Sequence, residues 1–190
     1  IDQLDAEVKR LSDSGVAVTA ILLNAWNETV PELNPKGVTE LPKEQAVYYG
    51  FNVESEGGFR GVKAMASFLA KRYNGKNGHG KITNWVVGNE INNQYWNYMG
   101  DYDVSAYTVR FQRAFRVFYT AMKSVSANDN IMFSIDHYWN MFPEAAPVGK
   151  YKGKDIMLAF HNYEAAEGYM DYGLALHPYP YPIYSPNFWD

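Results

Sequence analysis

Ile82-Thr-Asn-Trp-Val-Val-Gly-Asn-Glu90 (ITNWVVGNE) is an apolar run that stops on a glycine and two polar residues. From Ile82 to Gly88 there is none of the strict alternation of a strand with one wet face, so the run predicts a strand buried on both sides. The glycine-rich Asn74-Gly-Lys-Asn-Gly-His-Gly80 just before it ends whatever precedes. Strands of this kind belong to parallel sheets covered by helices, so helix and strand should alternate outward from it.

Upstream, Val62, Met65, Ala66, Leu69 and Tyr73 recur at helical spacing. Before them lies a long polar stretch, Asn24 to Gly57, carrying Pro31, Pro35 and Pro42, with Glu54 and Glu56 expected in a solvated loop. Loops of such length usually serve a purpose. Further back, Ile1, Leu4, Val8 and Leu11 mark a helix to Ser14, Gly15 is a candidate cap, and Val16 to Leu23 reads as a strand. Downstream, Asp103 can cap a helix whose apolar face includes Tyr107, Phe111, Phe115, Phe118 and Met122, followed by a strand from Ile131 to Ile135. A helix from about Asp155 to Glu167, its pattern blurred by His161-Asn162, and a strand from Tyr172 to Leu176 complete four helix-strand units. They predict an α/β fold with a parallel sheet, in a single unit from 1 to 190.

Periodicity alone does not separate a doubly wound sheet from a (β/α) barrel. The strand ends do. Asn24-Ala-Trp-Asn27, Asn89-Glu90, Asp136-His-Tyr-Trp139 and His177-Pro-Tyr179 each follow a strand at once, and in a barrel the C-terminal strand ends build the active site. No glycine-rich nucleotide motif follows any strand, against the dinucleotide-binding folds. The expected architecture is therefore a partial parallel barrel of the TIM type.

Composition narrows the function. Among 190 residues, 47% are hydrophobic and 20% charged, as in globular proteins generally, whereas 16 Tyr and 5 Trp raise the aromatic share to 16% and supply more faces than a core needs. A formal net charge of −4 with no block of Lys and Arg argues against nucleic acid. No apolar run approaches the roughly 20 residues that span a bilayer, so no membrane partner is expected. With no cysteine, thiolate metal sites are impossible. The opening in mid-helix without Met suggests that the true start lies elsewhere.

Glu90 carries the sharpest chemistry. Cleaving a glycosidic bond takes a carboxylic acid to protonate the leaving oxygen and a second carboxylate across the anomeric carbon. The amide of Asn89 could hold a sugar hydroxyl beside it. With Asn-Glu closing an apolar strand, the chain resembles the clan of retaining glycoside hydrolases with (β/α)8 barrels, whose fourth strand ends in Asn-Glu. The resemblance implies that Glu90 is the general acid/base and that Val16 to Leu23, Ile82 to Gly88, Ile131 to Ile135 and Tyr172 to Leu176 are the third to sixth strands. It also sets His177-Pro-Tyr179 beside the catalytic carboxylates, with no cofactor. The clan's nucleophile, a Glu ending the seventh strand, would lie outside this chain. The remaining strands would come from missing sequence or another chain, and these 190 residues alone would hydrolyse nothing.

The expected substrate is a polysaccharide or oligosaccharide, which suggests an extracellular or periplasmic location. Candidate binding residues besides Asn89 are Asn24, Trp26, Trp96, Asp136, His137, His177 and Tyr179, with Tyr95, Tyr98, Tyr138, Trp139 and Tyr181 as further strand-end aromatics. Two other readings stand beside this one. A non-catalytic carbohydrate-binding barrel would keep the aromatics without the chemistry. A metal-dependent hydrolase would use His137, His161 and His177 with Asp136, although no His-x-His or His-Glu-x-x-His spacing supports it.

Overall fold

The computed structural model describes residues 1–142 and 149–179. Along them run α1 (Asp2–Asp13), β1 (Thr19–Leu22), a 3-10 turn (Pro31–Leu33), α2 (Glu56–Arg72), β2 (Asn84–Val87), α3 (Val104–Lys123), β3 (Asn130–Ile135), α4 (Gly153–Glu167) and β4 (Gly173–Leu176). The four strands form one sheet in the order β1-β2-β3-β4, every pair parallel. The order never reverses, as it would at the switch point of a doubly wound sheet.

Local signals fix the helix ends. The N–H of Val16 donates to Leu11 O at 3.1 Å and that of Gly15 to Ser12 O at 3.0 Å, the paired bonds of a Schellman turn, for which Gly15 takes φ +81°. Ser55 accepts from the Gly58 N–H at 3.1 Å, and Asp103 from the Ala106 N–H at 2.7 Å, as N-caps of α2 and α3.

Alternate strand residues face the helices. Trp85, Val87, Ile131, Phe133 and Ile135 share one core with Val8 of α1, Val62 and Ala66 of α2, Phe111 and Phe115 of α3, and Ile156 and Phe160 of α4. All four helices therefore pack on the same side of the sheet. Aromatic rings tie this core together, with Phe133 and Phe160 at 4.9 Å and Phe115 edge-on to Phe133 at 5.4 Å. The opposite face carries the residues between: Ile21, Val86, Met132 and Gly173 in one row, and below it Asn130, which donates to Asn84 Oδ1 at 2.7 Å, while Asn84 donates to Thr19 Oγ1 at 3.0 Å. A Cβ on Gly173 would lie 2.7 Å from Met132 Cγ, so any larger residue there would have to displace the Met132 side chain.

Several details differ from the sequence expectations. The strand expected from Val16 begins at Thr19, because Val16 belongs to the Schellman turn. That expected from Ile82 begins at Asn84, because the Ile82 N–H turns back to Tyr73 O at 3.0 Å. On α1 only Val8 is buried; Ile1 and Leu4 are exposed, since that helix flanks the edge strand. α4 runs unbroken through His161-Asn162. Glu56 is not in a loop but opens α2, and Glu54 stands 3.1 Å from Arg110 Nε. Nor is the stretch before α2 wholly polar, since it buries Ala46, Tyr49 and Phe51.

One clasp joins α1 to the end of α2. Asp5 accepts from Arg72 Nε at 2.8 Å, from Arg72 Nη2 and from the Tyr73 hydroxyl at 2.9 Å, with His79 Nδ1 at 3.3 Å. The hydrogen-bonded Arg72 holds the Asp5 carboxyl down at about 2, against the opposing effect of burial and with help from Tyr73. A depressed carboxyl stabilises the fold above its ordinary pKa and loses that contribution as pH falls through the folded value. Asp5→Asn should thus lower the melting temperature at neutral pH, the two proteins converging as pH approaches about 2. Parallel melting curves at neutral and acid pH would reject the assignment.

Candidate functional site

The chain leaves β2 through a backbone that few residues adopt. The Gly88 N–H makes a last ladder bond to Leu22 O at 3.0 Å, and Gly88 then takes φ +75°. Glu90 follows with φ +43°, the one non-glycine residue with a left-handed backbone among the described residues. That conformation costs about 1–2 kcal/mol and persists only where neighbours impose it. The neighbour is Ser134 on β3. Its Oγ accepts the Glu90 N–H at 2.8 Å, and its carbonyl accepts the Ile91 N–H at 3.0 Å. The Asn93 N–H closes the turn on Glu90 O at 2.8 Å.

On the far side of β3, His177 extends β4 by donating its N–H to Ile135 O at 3.0 Å. Its Nδ1 lies 2.8 Å from Glu90 Oε1, with side chains 23% and 13% exposed. The pair is sheltered yet still reached by solvent. Tyr179, half exposed, sets its ring edge-on to His177 and to His137, each at 6.0 Å. His137 lies against Tyr138 with centroids 4.0 Å apart, and both its ring nitrogens are buried without a hydrogen-bond partner among the described residues.

Asp136 is 2% exposed. Its Oδ1 accepts from Asn92 Nδ2 at 2.6 Å and from the Tyr138 N–H at 2.8 Å, and its own N–H donates to Asn92 Oδ1 at 3.0 Å. Burial pushes its carboxyl up; the Asn92 and Tyr138 hydrogen bonds and the nearby His137 and His177 oppose the rise. The amide of Asn24, 6% exposed, is committed to two backbone carbonyls, Leu33 O and Gly50 O, both at 3.1 Å, and so clamps the loop after β1 rather than facing solvent. Asn89 is half-buried, and its side-chain amide makes no hydrogen bond among the described residues.

Residues 47–50 run beside 95–98, with the Val47 N–H on Tyr95 O at 2.8 Å and the Gly50 N–H on Tyr98 O at 2.9 Å. This ladder splits the aromatics into two groups. Trp26 packs edge-on to Tyr49 at 5.2 Å, and Tyr49 on Tyr98 at 6.0 Å. Trp96 stacks on Tyr48 at 6.3 Å and meets Tyr95 edge-on at 4.6 Å. Both tryptophans are partly buried, whereas Trp139 and Tyr179 are exposed. Tyr181 lies outside the described residues.

Asn24, Glu90, Asp136 and His177 thus follow the C-terminal ends of β1 to β4 on one edge of a parallel sheet. Contact joins Glu90 to His177 and sets Tyr179 against both histidines. Asn24 and the two tryptophans are held by their own loops. Ser134 and Asn92 were missed: Ser134 as the one polar residue between Ile131 and Ile135, two before Asp136, and Asn92 as one polar residue among many after Glu90. No group of three or more His, Asp or Glu among the described residues could hold a metal ion, and no described helix is long and apolar enough to cross a membrane.

Fold and site together define a parallel α/β protein with an acid-imidazole pair where its strands end. The chain belongs to the family of unknown function DUF5722, whose model matches residues 1–190. Among curated proteins, none matches it.

Proposed function

We propose that the chain carries the acid/base part of a retaining O-glycoside hydrolase, its four strands being the third to sixth of a (β/α)8 barrel and its substrate a polysaccharide or oligosaccharide outside the cytoplasm. The observation that carries this reading is Glu90 in a strained backbone, 2.8 Å from His177 Nδ1. A general acid/base must work in both protonation states. An imidazole nitrogen donates to the carboxylate or accepts from the carboxylic acid, so His177 can hold Glu90 through the whole cycle. Asn89 is free to bond a sugar hydroxyl, and Tyr179 offers an exposed face. Asp136 is engaged by Asn92 and is not proposed as nucleophile; a Glu from outside these residues takes that role.

The test is the stereochemistry of the full-length protein acting on aryl glycosides, followed by proton NMR. Retention of the anomeric configuration is expected; inversion would remove the mechanism. A protein that binds oligosaccharides and turns over none of them would instead be the carbohydrate-binding barrel, a reading favoured to the extent that no second carboxylate contacts Glu90 among the described residues. Within the hydrolase reading, Ser134→Ala removes the hydrogen bond that imposes the Glu90 backbone. A bond of about 1 kcal/mol corresponds to a fall in kcat of roughly five- to tenfold, with KM little changed. An unaltered kcat would show that the turn holds without it.

A further inference from the structure

Away from the strand ends, a furrow of about 600 Å3 runs between α2 and α3, within the range of small-molecule sites. Phe59, Lys63 and Ser67 line it from α2 and Arg113, Val117 and Ala121 from α3, each set one turn apart, so it is about 12 Å long. Its floor is apolar, Phe59 being 40% exposed. No carboxylate lines it. Lys63 and Arg113 rise from opposite helices, and neither has an ion pair among the described residues. A third cation, Arg116, is already engaged by Gly168 O at 2.8 Å and by Glu167 at 3.8 Å.

Past Arg113 the furrow meets a second groove, of about 670 Å3, which shares Val53 and Arg113 with it and adds Lys36 and Arg110. Its one carboxylate, Glu54, is paired with Arg110. In a chain of formal net charge −4, this gathering of positive charge over an apolar floor is local. The complementary molecule has an apolar body and one anionic end. A membrane surface would not enter a concave furrow between helices.

We propose that the furrow between α2 and α3 binds a single-chain amphiphilic anion, of which an aliphatic carboxylate is the simplest, its carboxylate between Lys63 and Arg113 and its chain along Phe59 and Val117. The site is independent of the glycosidase reading. Titration calorimetry of the full-length protein with monomeric decanoate, and with decanol as the uncharged partner, tests it. One decanoate per chain is expected, with decanol at least about tenfold weaker, as loss of a charge-assisted contact requires. Arg113→Gln and Lys63→Gln, both at exposed positions, should each weaken decanoate severalfold and leave decanol unchanged. Thr120→Trp, at an exposed position lining the furrow, should abolish both; should that variant fail to fold, the two charge variants decide. Equal affinity for decanol and decanoate, decanoate binding untouched by these substitutions, no decanoate binding, or binding to anionic vesicles alone would each overturn the proposal.

Discussion

On the proposed hydrolase reading, Glu90→Gln in the full-length protein is expected to slow hydrolysis of natural glycosides by roughly 10²- to 10⁴-fold, the usual consequence of losing a general acid/base. The amide fills the same space and can still meet His177, so folding should be preserved and the loss should be chemical. The acid protonates the leaving oxygen in the first step, so dinitrophenyl glycosides, whose leaving group departs without a proton, should be slowed far less in that step. The same residue then deprotonates water, so the glycosyl-enzyme should accumulate. Azide needs no base to attack, and adding it should restore turnover and yield a glycosyl azide of retained configuration. Full activity of the variant on natural substrate would take Glu90 out of the mechanism, and loss without azide rescue would make it a structural residue of the turn.

Much of the architecture was legible because it rests on local signals. Gly15 and Asp103 end or begin helices through hydrogen bonds made within a few residues, and the apolar strands are recognisable by their lack of alternation. Glu90 stood out because an acid at the end of a buried strand is conspicuous. Of what it touches, His177 was expected beside it through the resemblance alone, and Ser134 was not legible. His177 lies 87 positions along the chain and Ser134 lies 44, and register alone brings them together: Ser134 and Ala175 are side by side in the β3-β4 pair, so the residue two beyond each, Asp136 and His177, emerges at the same edge. The same limit explains Asn24, which looked like a sugar ligand and instead clamps Leu33 and Gly50. An asparagine after a strand reads alike whether its amide points at a substrate or at a backbone that returns from further along the chain. Aromatic content was equally ambiguous, since the rings beside Tyr48 and Tyr49 pack on one another.

Asn92→Ala should be among the most destabilising single changes near the site, by about 3 kcal/mol at neutral pH. Asn92 is fully buried, and both ends of its amide are bound to Asp136. Truncation removes a hydrogen bond to a charged acceptor, worth about 1.5–3 kcal/mol, and orphans the Asp136 N–H besides. The effect should depend on pH. Burial already raises the Asp136 carboxyl above its ordinary value near 3.8, and the Asn92 bond is the largest influence holding it down. A raised carboxyl means that the folded state holds its proton more tightly than the unfolded state, so stability declines as pH rises from the ordinary value through the folded one. Without Asn92 the folded value climbs further and the decline widens; in acid below the ordinary value, where both states are protonated, the two proteins should differ least. Asp136→Asn gives the opposite result, because its side-chain oxygen can still accept from Asn92 and Tyr138 while no charge is buried. Urea unfolding across this pH range should find that variant at least as stable as the wild type at neutral pH, with a flatter slope. A loss under about 1 kcal/mol for Asn92→Ala, or equal losses for the two variants, would overturn this account. A stabilised Asp136→Asn protein that hydrolyses poorly would show that the buried charge is kept for the site, near His137 and His177.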